Sequence, residues 1–62
     1  MERYYIFIDT GDQTYLMGLH EDYVTSIKDA MWFSDVLEAK LYVERRGIER
    51  ITTVRKILLT ER

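Results

Sequence analysis

The hydrophobic positions of this chain change period along its length, and each change predicts a new element. In Arg3 to Asp9, RYYIFID, an extended backbone puts Tyr4, Ile6 and Ile8 on one face and Tyr5 and Phe7 on the other. Both faces are apolar, which predicts a central strand whose second face is also covered. The turn formers DTGDQ follow. Gly11 suits a positive φ, and Asp9 and Asp12 are placed to accept from nearby amides, so a hairpin is expected. Its return strand is Thr14 to Leu19, with Tyr15, Met17 and Leu19 on one face and Gly18 marking a bulge or a close backbone approach. His20 to Thr25, HEDYVT, reads as a polar connection with a short extended piece.

From Ser26 the pattern becomes helical. Ser26 with Asp29 three residues on resembles a capping box, which predicts one helical turn over Ile27 to Met31. The main helix is expected from Ser34 as N-cap, with Asp35 in the first turn, to Arg46. Arg45 and Arg46 suit the negative end of its dipole, and Gly47 suits the left-handed residue that stops it. At ~100° per residue, Val36, Ala39, Tyr42 and Val43 gather on one arc. That arc is the core face, where Ala39 allows close approach to the sheet and Trp32 and Phe33 close one end. Leu37 and Leu41 fall on a separate arc, with Lys40 and Glu44 on one side and Glu38 and Arg45 on the other. A narrow apolar patch rimmed by charge implies a covering surface. The competing explanation is a lower-lying helix, or a loop drawn over both leucines.

After Gly47 the sequence IERITTVRKILLTER is dense in β-branched residues and reads as a last strand, Arg50 to Thr60. Ile48, Ile51, Val54 and Leu58 also approach helical spacing, but the β-branched density favours strand. The expected fold is α+β, a single ββαβ domain over residues 1–62. It has a three-stranded antiparallel or mixed sheet with the first strand in the middle and one main helix on one face. A last strand much longer than the first would overhang it, and an overhanging apolar edge suits a symmetric dimer.

Composition narrows the function. A chain of 62 residues buries only about 60% of the surface its unfolded form exposes, so small domains of this size often need help. With no cysteine, disulfides and thiolate metal sites are excluded, which raises the weight of self-association. The hydrophobic fraction of 47% and charged fraction of 32% are those of a folding chain. The N-terminus has no apolar run of signal-peptide type and no stretch is long enough to span a bilayer, so the expectation is a cytoplasmic protein without membrane contact.

Chemistry is sparse. His20, Glu21 and Asp22 are adjacent on a turn with no second histidine, and Val24 stands where a zinc-binding H-E-x-x-H would need one, so no metal or other cofactor is expected. No serine or threonine has a nucleophile context, and Gly11, Gly18 and Gly47 are too scattered to cradle phosphate. The chain is therefore not expected to be an enzyme. Tyr4, Tyr5 and Phe7 on one strand, with Arg3, Arg50, Arg55 and Lys56 as candidate phosphate contacts, suggest a small nucleic-acid-binding regulator as the alternative function. The net charge of −2 and the lack of an R-G-F-G-F-like run count against it. The favoured function is a non-enzymatic protein-interaction module, expected to form a homodimer, with Leu37, Leu41, Lys40, Glu44 and Trp32 as its partner-binding residues.

The layout of a compact strand-rich N-terminus followed by Ala30, Phe33, Ala39, Tyr42 and Gly47 around one helix resembles the very short accessory proteins encoded by phages and prophages of Gram-positive bacteria. That resemblance implies an inhibitor or modulator of a host enzyme or defence complex, acting in the host cytoplasm, and carries no active-site residues with it.

Overall fold

The computed structural model describes residues 2–58. The fold is α+β, with five strands and one α-helix: β1 (Glu2–Asp9), β2 (Thr14–Met17), β3 (Tyr23–Val24), β4 (Trp32–Phe33), α1 (Val36–Arg46) and β5 (Thr52–Leu58). All pairings are antiparallel. β1 is central, as its two apolar faces require. One of its edges pairs with β5 from Glu2 to Ile8, and the other is shared by β2, at Phe7 to Asp9, and β4, at Tyr4 and Tyr5. β3 extends the sheet beyond β2.

The sheet therefore has five strands where three were expected, and the ββαβ order is too short by β3 and β4. Each of these is two residues long, below the four or so residues over which alternation becomes visible. β4 exists because β2 leaves β1 after Leu16. Residues 30–33 fill the vacated edge: Met31 N–H donates to the Met17 carbonyl at 2.9 Å, and Gly18 bridges Ala30. The same demand shortens the preceding helical turn to a 3₁₀ turn at Ile27–Asp29, capped by Ser26 Oγ accepting from Lys28 N–H. Gly18 is the close approach its position suggested, since a Cβ there would collide with the Asp22 side chain and lie 2.8 Å from Val24 Cγ1.

The hairpin forms as expected, with Asp9 Oδ1 accepting from Gly11 N–H at 2.9 Å and Gly11 at φ +96°. The N-cap of α1 is Asp35 rather than Ser34: its Oδ1 accepts from Leu37 N–H at 2.9 Å. Gly47 ends the helix at φ +68°, its N–H donating to Glu44 and the following Ile48 N–H to Val43, a Schellman-type stop.

The last strand is shorter than the sequence suggests. Arg50 and Ile51 belong to a 3₁₀ turn at Glu49–Ile51, and every residue from Thr52 to Leu58 is opposite a residue of β1. No part of β5 overhangs β1 among the described residues; Leu59 and Thr60 lie outside them.

Alternation along β1 builds a cluster on each side. Ile6 and Ile8 join Met17, Ala39 and Val43 beneath the helix, with Tyr4, Phe33, Tyr42 and Val54 at the margins. On the other face, Tyr5 packs with Leu16 and Ala30, flanked by Phe7, Val24 and Ile57.

Candidate protein interface

α1 contacts the sheet through the arc read from the sequence: Ala39 and Val43 are buried, Tyr42 and Val36 partly so. Leu37 and Leu41 remain out in solvent at 65% and 50% exposure, so among the described residues neither a loop nor a deeper seating of the helix covers them. They are not isolated on a convex surface. Together with Lys40 and Glu44 they form one wall of a groove of about 560 Å³, whose other side is Glu49 and Thr52 to Val54 at the start of β5. The sequence placed the leucines on their own arc but not the groove, because most of its second wall, Thr52 to Val54, is at least eleven residues beyond Leu41 and arrives only through the pairing of β5 with β1.

Trp32 does not belong to this groove. It lies opposite Tyr5 in the β1–β4 pair, so its side chain stands on the sheet face away from the helix. There it is 41% exposed, and the Arg3 guanidinium lies 4.2 Å from its ring centroid. Arg3 Nε is buried without a hydrogen-bond partner, which leaves this stacked contact as its compensation.

The basic residues are also separated. Arg55 is opposite Tyr5 and lies 5.4 Å over the Phe7 ring, on the far face. Lys56 is opposite Tyr4, on the helix side, with its Nζ 4.0 Å from Glu2. Arg50 is in the 3₁₀ turn before β5. Consecutive strand residues project to opposite faces, so Arg50, Arg55 and Lys56 do not form one cationic strip. Of the aromatics proposed to stack bases, Tyr5 is buried and Tyr4 packs against the helix-side core.

The His20–Asp22 turn is held by structure rather than by chemistry. Glu21 takes a positive φ of 61°, and its carboxylate meets Arg46 at 2.7 Å, tying the turn to the end of α1. Both partners are about half exposed, so the bond fixes geometry more than it stabilises. No cluster of three or more metal-ligating side chains occurs among the described residues, and no helix there is long and apolar enough to cross a membrane.

No family model matches this sequence, and no curated protein or solved structure shows significant similarity to it.

Proposed function

We propose that this protein is a non-enzymatic interaction module that works by seating the α1–β5 groove on a protein surface. The observation that carries the reading is the pair of exposed leucines, Leu37 and Leu41, lining a groove rather than standing singly. Apolar side chains within a concave site and a rim of charge, here Lys40, Glu44 and Glu49, are the usual anatomy of an interface core and its border. Trp32, stacked under Arg3 on the opposite face, is a second and separate contact point. The layout likeness to short phage and prophage accessory proteins favours a host enzyme or defence protein in the cytoplasm as the target class. The nucleic-acid alternative is weaker, since its cations are divided between two faces and a turn.

Leu41→Glu tests the reading. At an exposed site the change is expected to alter folding stability by roughly 0.5 kcal/mol or less, with native circular dichroism, and to abolish association. A core leucine exchanged even for alanine would cost ~2 to 5 kcal/mol. Unfolding of Leu41→Glu, or association that the folded variant retains in full, would remove the groove from the function.

A further inference from the structure

We infer that the sheet face turned away from α1 is a second binding site, and that it takes an extended acidic segment of a partner protein across the Arg3 and Arg55 guanidiniums. The inference stands apart from the groove, which lies on the helix side, and gives the contact point at Trp32 its chemistry.

Alternation brings the two arginines together. Arg3 and Tyr5 follow one another on this face of β1, and Arg55 of β5 is directly opposite Tyr5. Arg3 and Arg55 are therefore diagonal neighbours, with backbones about 7–8 Å apart. Each is held over an aromatic ring: Arg3 lies 4.2 Å from the Trp32 centroid and Arg55 5.4 Å from that of Phe7. Such a contact uses the face of the guanidinium, while its N–H donors lie in the plane and remain available to a carboxylate. Arg3 Nε is sealed off, so its Nη groups would carry that bond.

No carboxylate of the described residues meets either arginine. The ion pairs there join Arg46 to Glu21 and Lys56 to Glu2. Asp9, which alternation puts on the same side of β1, is turned into the hairpin by accepting from Gly11 N–H. Asp22 and Asp29 line a separate cleft with His20. A chain of net charge −2 thus keeps two cations unanswered on one face.

Spacing and surface select the occupant. In an extended strand, carboxylates at positions i and i+2 share a side and stand about 7 Å apart, the spacing of the two arginines. Tyr5 between them is only 2% exposed, so the floor is closed and suits a main chain laid across it rather than a side chain inserted into it. A nucleic-acid strand fits less well. The Trp32 and Phe7 rings on which bases would stack already carry guanidiniums, and two cations on an acidic chain release few counterions.

Trp32 is the only tryptophan, so its emission reports on this face. Titrating the full chain with an end-blocked peptide of alternating glutamate and threonine should change that emission saturably below about 1 mM. The same peptide with glutamine for glutamate should not. Arg3→Gln and Arg55→Gln should each raise the dissociation constant about tenfold, and Arg55→Lys, which keeps the charge without the fork, should also weaken binding. Lys56→Gln, on the helix side, and Leu41→Glu, in the groove, should leave it unchanged. Arg55 is exposed, so its variants carry the test even if Arg3→Gln fails to fold. No saturable change with the glutamate peptide, or binding indifferent to Arg55→Gln, overturns the inference. Tighter, Arg55-dependent binding of a single-stranded oligonucleotide, or equal binding of inorganic phosphate, also overturns it, because the face would then read phosphate or charge alone. None of these results touches the groove, whose own test is association of Leu41→Glu.

Discussion

Tyr42 joins the core to the rim of the molecule, and its hydroxyl is the least satisfied group there. Its ring packs on Phe33 at a centroid distance of 5.8 Å, and Arg46 lies 5.9 Å from its own ring centre, yet the hydroxyl is buried without a hydrogen-bond partner. Burial raises the phenol above its ordinary value of 10.0; Arg46 works against this and Glu21 adds to it. A phenol whose folded value lies above its unfolded one contributes stability that is fully present below pH 10 or so and is lost as pH climbs from there through the raised folded value. Tyr42→Phe removes an unpaired hydroxyl, so at neutral pH it should leave stability unchanged or raise it by up to about 1 kcal/mol. Thermal melts across the alkaline range should show a flatter decline for the variant. A clear loss at neutral pH would mean that the hydroxyl has a partner. Gly18 shows how far a single residue can be read: the sequence marked it as a bulge or a close approach, and the structure gives the close approach, to Asp22 and Val24.

At the level of elements, α1 was readable nearly to the residue and the two-residue strands were not. The helix follows from its Gly47 stop, its terminal arginines and the spacing of Val36, Ala39 and Val43, all of which are local. Its start was misplaced by one residue, since Ser34 and Asp35 are both good caps and the choice depends on where β4 releases the backbone. The two caps can be told apart. Asp35→Ala should cost about 1 kcal/mol, while Ser34→Ala should stay within roughly 0.5 kcal/mol; equal losses in chemical denaturation would contradict the assigned cap. The 3₁₀ turn at Glu49–Ile51 escaped notice because Ile51 opens the β-branched run that continues to Val54; the turn is closed by Ile51 N–H and Thr52 Oγ1, both donating to the Ile48 carbonyl, at 3.2 and 2.9 Å.

The whole molecule is organised by β1, which carries one cluster on each face. The two faces should therefore melt together. Leu16→Ala, on the side away from the helix, is expected to cost ~2 to 5 kcal/mol and to lower the stability seen by Trp32 and by the helical circular dichroism signal in one shared transition. Separate transitions for the two probes would show that the faces fold independently. Small size explains the severity: with so little buried area, one truncated side chain is a large share of the total.

Local pattern was enough for the α+β class, the central place of β1, the hairpin at Gly11, the core arc of α1 and the separate arc of Leu37 and Leu41, though not for their exposure, which the packing of the helix settled. Each of these depends on residues within a few positions of one another, where alternation, helical period and turn chemistry act directly. Pairing between distant segments set the rest: β2 leaves β1 and lets residues 30–33 take its place, Trp32 faces away from the leucines, and Arg55 and Lys56 point to opposite sides. It also decided that Thr52 to Val54 supply the second wall of the groove. These outcomes depend on which strand edge is left unpaired after the first hairpin forms, and strand pairing is a competition among distant backbone groups that no local pattern records.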